Sequence, residues 1–343
     1  MSLNLLNPFT KFGAGGGGGR YFELLDRDSG TLPDVSSFSA MPYLQVLTDM
    51  IPASRANYTL IENNTTSAAY SRRFSDDGAV DIVETNATNG LPLNDSGNSQ
   101  MFGVGNFSNI DSHDKLWAGF GVNQSPDGST SGGIPERREV GGKYVDSNQI
   151  TSIKALENAG GSFDAASEIV VLGYDPAASS GDSVWESLAE IDYSGGSTNV
   201  IDSSTISAKK YMYLEFTGVS AGTGNIDSSF TINGLTTSTY AYRISENNGA
   251  ERTSSSSTQA IAQYSGNDSE TFLCAYILNK SGTPKLFITH QQNRQTAGAG
   301  TAPYWNQGVS KSTTTAAITS IQIQNNGGGS YAAGSKLRIW GFD

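Results

Sequence analysis

Apolar and polar residues along this chain follow the two-residue period of β-structure. In residues 211–216, Tyr211, Tyr213 and Glu215 fall on one face and Met212, Leu214 and Phe216 on the other, the alternation of a strand. Both faces are partly apolar, which predicts a central strand. Further strands are expected at 43–47, 58–61, 79–83, 115–120, 149–156 and 168–174, with 22–26 opening the set. Each is short and bounded by Gly, Asn, Asp or Pro, which supply turn conformations.

The pattern occurs twice. Residues 150–175 and 318–343 align without a gap at an offset of 168, with 12 of the 26 paired positions identical. Ile150-Thr151-Ser152-Ile153, Gly160-Gly161-Ser162 and Gly173-Tyr174-Asp175 return as Ile318-Thr319-Ser320-Ile321, Gly328-Gly329-Ser330 and Gly341-Phe342-Asp343. A long internal period implies a duplicated unit. The order of strands between also repeats. Trp185-Glu186-Ser187-Leu188 parallels Phe22-Glu23-Leu24-Leu25, Phe230-Thr231-Ile232 parallels Tyr58-Thr59-Leu60, and 272–279 parallels 116–123.

These features predict an all-β protein of two tandem duplicated jelly-roll-like β-sandwiches, with roughly eight strands per copy. The domains are expected at 21–175 and 184–343, joined by a linker at 176–183 and preceded by a separate segment, 1–20. The repeated closing element reads as a β-hairpin: an Ile-Thr-Ser-Ile strand, a Gly-Gly turn and a final strand.

Composition supports this reading. The 343 residues include 40 Gly, 15 Tyr, 14 Phe and 4 Trp, with only 16% charged residues. Aromatics in that number provide a core and argue against disorder. The formal charge of −12 and the lack of a basic patch speak against nucleic acid as a partner. The pairs Arg72-Arg73, Arg137-Arg138 and Lys209-Lys210 are expected on solvated faces. No apolar run reaches the length of a membrane span, so membrane insertion is not expected. Residues 1–9 lack the features of a secretory signal.

The N-terminal segment carries Leu3, Leu5, Leu6, Pro8, Phe9 and Phe12 ahead of a run of glycines. An apolar cluster on a flexible tether is expected to dock on another protein.

Candidate chemistry is sparse. There are two histidines, His113 and His290, and one cysteine, Cys274, so an intrachain disulfide and a Cys-rich zinc site are both excluded. Cys274 is expected as a buried thiol in a strand and His290 as a polar strand residue. Asp26-Arg27-Asp28-Ser29-Gly30 and Asp76-Asp77-Gly78 read as turns, without the spacing of a calcium loop. No catalytic constellation, metal site or cofactor is expected. Tyr304 and Trp305, placed on a loop, are the candidate glycan platform.

The closing element, with Ile318-Thr319-Ser320-Ile321, Asn326, Gly328-Gly329, Tyr331, Gly334-Ser335, Leu337 and Gly341-Phe342, resembles one found in virion proteins of tailed bacteriophages. The opening Asn7-Pro8-Phe9 and its glycine run look like the attachment peptides of such proteins. The resemblance covers about 26 residues per copy. It implies a non-enzymatic virion protein assembled in the host cytoplasm: a tail fibre or tail-associated receptor-binding component, expected as a homotrimer that contacts host glycan. The alternatives are a capsid decoration or head-fibre protein and, from another class, a glycan-active enzyme.

Overall fold

The computed structural model describes residues 22–63, 65, 67–88, 90–94, 97–124, 133–158, 160–177, 183–222, 224–247, 249, 251–260, 270–294, 299–300 and 302–343. Leu3, Leu5, Leu6, Pro8, Phe9 and Phe12, the residues expected to dock, lie outside them. Every regular element among the described residues is a β-strand.

The chain divides into two compact units, one comprising Met1–Gly128 and Glu136–Trp185 and the other Ser129–Pro135 and Glu186–Asp343. Trp185, aligned in sequence with Phe22, groups with the first unit and is buried.

Among the described residues the first unit has eleven strands: β1 (Glu23–Ser29), β2 (Asp34–Val35), β3 (Tyr43–Met50), β4 (Tyr58–Glu62), β5 (Tyr70–Asp76), β6 (Ile82–Ala87), β7 (Met101–Ser108), β8 (Lys115–Asn123), β9 (Glu136–Tyr144), β10 (Ile153–Glu157) and β11 (Glu168–Tyr174). Eight form one antiparallel sheet in the order β1-β11-β3-β7-β8-β9-β5-β6, and three form a second sheet, β2-β10-β4. The second unit has β12 (Glu186–Asp192), β13 (Val200–Asp202), β14 (Tyr211–Gly218), β15 (Ser228–Ile232), β16 (Tyr240–Glu246), β17 (Arg252–Ser257), β18 (Thr271–Leu278), β19 (Lys285–Asn293), β20 (Tyr304–Ser312), β21 (Ile321–Asn325) and β22 (Lys336–Phe342). Its sheets, β12-β22-β14-β18-β19-β20-β16-β17 and β13-β21-β15, repeat the first order strand for strand. Each unit is thus a β-sandwich, and the two are structural duplicates.

The structure corrects three finer readings. The closing element is not a hairpin. β10 lies in the small sheet and β11 in the large one, and β21 and β22 divide in the same way. The segment between each pair is an arch that closes the sandwich, plugged by buried Phe163 in one copy and Tyr331 in the other. Its glycines allow a close approach: a Cβ on Gly161 would lie 1.9 Å from the Arg55 carbonyl oxygen. The parallel between 272–279 and 116–123 is displaced by one strand, because sheet order makes β18 the counterpart of β7. Phe230 is matched by Leu60 rather than Tyr58, since Phe230 pairs with Ile323 and Leu60 with Ala155. That slip of two residues leaves every face unchanged and is therefore invisible to an alternation pattern.

Each core lies between the large and small sheets. Val46, Leu60, Trp117, Ile153 and Val171 share one cluster, and Leu214, Phe230, Phe287, Ile323 and Ile339 the other. Rings lock edge-on within them, with Tyr58 against Phe163 and Phe216 against Tyr331. Strand β14 lies between β22 and β18 and is apolar on both faces, as its sequence predicts.

Buried polar groups are also duplicated. Asn109 accepts the Ile150 N–H (2.6 Å) and Asn279 the Ile318 N–H (2.7 Å). Lys115 and Lys285 are fully buried. The Lys115 ammonium donates to the carbonyls of Ile110 (2.7 Å), His113 (2.5 Å) and Ser147 (3.3 Å). Lys285 donates to those of Lys280, Thr283 (2.7 Å) and Thr315 (3.3 Å). Burial pushes the Lys285 ammonium down to about 8 and lowers Lys115 as well. These lysines serve as fixed internal cations that gather loop carbonyls.

Candidate functional site

Tyr304 and Trp305 are the first residues of β20, not part of a loop. Adjacent strand residues point to opposite faces, so the two rings do not form one platform. Tyr304 lies in register with Asn293, and its hydroxyl donates to the Glu246 carboxylate (2.8 Å). Trp305 lies in register with Gln292 on the other face.

The backbone of Trp305 is anchored by Asn247, just beyond the end of β16. The Trp305 N–H donates to the Asn247 side-chain oxygen (3.0 Å), and the Asn247 N–H donates to the Trp305 carbonyl (2.8 Å). Asn247 adopts φ 50°, a left-handed conformation that Asn tolerates. Asp77 (φ 52°) holds Arg137 in the same way in the first copy. The duplicated scaffold therefore fixes this position, and the side chain carried there differs.

Register continues across the sheet. Thr217 pairs with Phe272, Phe272 with Gln292 and Gln292 with Trp305, while Lys336 pairs with Thr217. Directly paired residues share a face, so Lys336, Thr217, Phe272, Gln292 and Trp305 form one transverse row. Phe272 is 42% exposed, Gln292 is exposed and Trp305 half-buried. Phe272 sits in a run that reads as a core strand. Only its register with Trp305, two strands away, reveals it as a surface aromatic. The corresponding row of the first unit, Glu168, Asp49, Phe102, Val122 and Arg137, is buried throughout.

The next row on the same face of the second unit is Arg338, Glu215, Cys274, His290 and Gln307. Its counterpart in the first unit is Val170, Leu47, Val104, Phe120 and Glu139. Chemistry-bearing residues thus replace four apolar ones. Cys274 is buried as expected, and burial, followed by the nearby Glu215 carboxylate, pushes its thiol up to about 12. Burial also raises Glu215, which accepts a hydrogen bond from the Tyr213 hydroxyl (3.1 Å). A thiol held this far above neutrality carries little of the reactive thiolate form. No group of three or more His, Cys, Asp or Glu among the described residues is placed to hold a metal ion.

The first unit has a polar pocket lined by Asp76, Asp77, Asn94, Asn123, Glu136, Arg137 and Arg138. Its volume of about 20 Å³ has room for a water molecule, not a sugar ring. Arg138 forms a bidentate pair with Asp76, bonds the Asn94 carbonyl (2.9 Å) and stacks over Phe74. Arg72, Arg137 and Arg138 are buried in such pairs, which corrects the expectation of solvated basic faces for these three; Arg73 is exposed as expected, and Lys209 and Lys210 are partly exposed. Asp26 and Asp28 likewise lie within β1 rather than in a turn. Asp77-Gly78 is a turn, with two successive positive φ values as in a type I′ hairpin.

No family model and no curated protein matches the chain. Among solved structures, domains LG4-5 of the mouse laminin alpha1 chain are similar at 10% identity over 91% of this chain and 86% of that one. The TM-score of 0.20 is too low to carry an argument about fold or function.

Proposed function

We propose that this protein is a non-enzymatic structural component of a tailed-bacteriophage particle, a tail fibre or tail-associated receptor-binding protein attached through its N-terminal segment. The observation that carries the reading is the repeated closing element, 150–175 and 318–343, whose phrasing resembles that of phage virion sandwiches. The tandem sandwiches add support: a rigid β-scaffold suits a protein that presents side chains to a host surface. The oligomer proposed is a homotrimer, assembled into the particle in the host cytoplasm.

Immunogold labelling of particles that carry the protein tests this. Gold on the tail is the expected result. Gold spread over the head would make it a decoration or head-fibre protein, and unlabelled particles would overturn the virion reading. Deleting residues 1–12 should abolish incorporation while leaving both sandwiches folded.

A further inference from the structure

The row Phe272–Gln292–Trp305 sits on three adjacent strands, β18, β19 and β20, in the interior of the large sheet. The outer strands are therefore separated by two strand spacings, about 10 Å. Two aromatic side chains stand at that separation on a common face, with a carboxamide between them. Neither ring makes a stacking contact among the described residues, and the Gln292 side chain makes no hydrogen bond there.

Chemistry narrows the occupant. β18, β19 and β20 are each paired on both sides, so no free edge is available for strand addition by a peptide. Nucleic acid would bring phosphates that require neutralising cations. The one cation in the row, Lys336, lies 3.9 Å from Asp192, and the whole chain carries −12. What remains is a face of aromatic, amide and hydroxyl groups whose charge is balanced. That surface complements a neutral polyol: the C–H faces of a sugar pack on aromatic rings, and its hydroxyls bond an amide that both donates and accepts.

We propose that Phe272, Gln292 and Trp305 form a binding platform for a neutral, linear polysaccharide, the two rings stacking on sugars and the Gln292 carboxamide bonding hydroxyls between them. The platform deepens the receptor-binding reading above and rests on it. It replaces the Tyr304–Trp305 pair with residues that share a face. Selectivity is for chain length, because one sugar cannot reach both rings.

The test is an array of neutral hexose oligosaccharides, from one to eight units, and of their uronic-acid counterparts, probed with the full chain and with Phe272→Ala, Trp305→Ala and Phe272→Tyr. Binding to longer neutral oligomers is expected, with a loss of about ten-fold for either alanine variant and retention in Phe272→Tyr. Unchanged melting curves would show that the variants fold. Silence of the wild-type chain on every neutral glycan, binding that survives both alanine substitutions, or preference for acidic glycans would each overturn the platform. Gold-labelled particles with a silent array would sink the platform and leave the virion reading standing. A positive array with unlabelled particles would do the reverse.

Discussion

Glu62 and Ile232 hold the same place in the two copies. Glu62 pairs with Ile153 and Ile232 with Ile321, and the backbone N–H of each donates to a tyrosine hydroxyl, Tyr70 at 3.3 Å and Tyr240 at 3.0 Å. A carboxyl group thus occupies a site built for an aliphatic side chain. No donor reaches either Glu62 oxygen in good hydrogen-bond geometry, and burial pushes the group up to about 7, opposed in part by the nearby Tyr70 hydroxyl.

The sign of the resulting pH dependence is fixed. A carboxyl whose folded pKa lies above its unfolded value holds its proton more tightly when folded, so stability falls as pH rises between about 4.5 and 7. Glu62→Gln should remove this dependence and stabilise the first unit at pH 8 by about 1–3 kcal/mol. Urea titrations of both proteins at pH 4.5 and 8 measure it. A wild-type advantage at pH 8 would contradict the assignment.

The buried lysines should act locally. Lys115→Met strands three carbonyls in the first unit, and Lys285→Met strands three in the second. Each should lower the stability of its own unit by about 2–4 kcal/mol and leave the other transition in place. Scanning calorimetry of the full chain would resolve the two effects, and an equal shift of both transitions would argue against it.

Cys274 should be inert in the native protein. With its thiol near 12, the thiolate fraction at pH 8 is about a thousandfold below that of a free cysteine. Alkylation followed by mass spectrometry should give slow labelling that becomes fast in denaturant. Rapid native labelling would reopen the case for chemistry in the Glu215–Cys274–His290 row.

Tyr304 and Trp305 should separate in function. Tyr304→Phe removes the bond to Glu246 and should cost about 0.5–1.5 kcal/mol of stability without changing glycan binding. Trp305→Ala should do the opposite. Parallel melting curves and array signals would show whether the two faces act independently.

The arch glycines give a sharper contrast. A Cβ on Gly161 would collide with the Arg55 carbonyl, whereas one on Gly328 meets nothing within 4 Å. Gly161→Ala should therefore lower the melting temperature of the first unit, and Gly328→Ala should leave the second unchanged.

The sequence makes the duplication and the all-β class plain, because repeated phrases and two-residue alternation are local signals. It hides β7 and β9. Gly103, Gly105, Gly119 and Gly121 break the apolar pattern of β7 and β8 because the segment around Leu93 lies against them. A Cβ on Gly121 would fall 1.6 Å from the Leu93 carbonyl oxygen. Arginines disguise β9, since Arg137 and Arg138 look like surface residues until their carboxylate partners are seen. The platform was half legible. Trp305 could be picked out, but Phe272 belongs to it only through pairings that join residues far apart in the chain.

In each copy the first strand lies beside the last, β1 against β11 and β12 against β22. The first strand of each sandwich therefore begins where its last strand ends, at one corner. A module whose entrance and exit coincide can be copied, inserted or exchanged with only a short joint to rebuild. Growth by such modules leaves each existing core as it is.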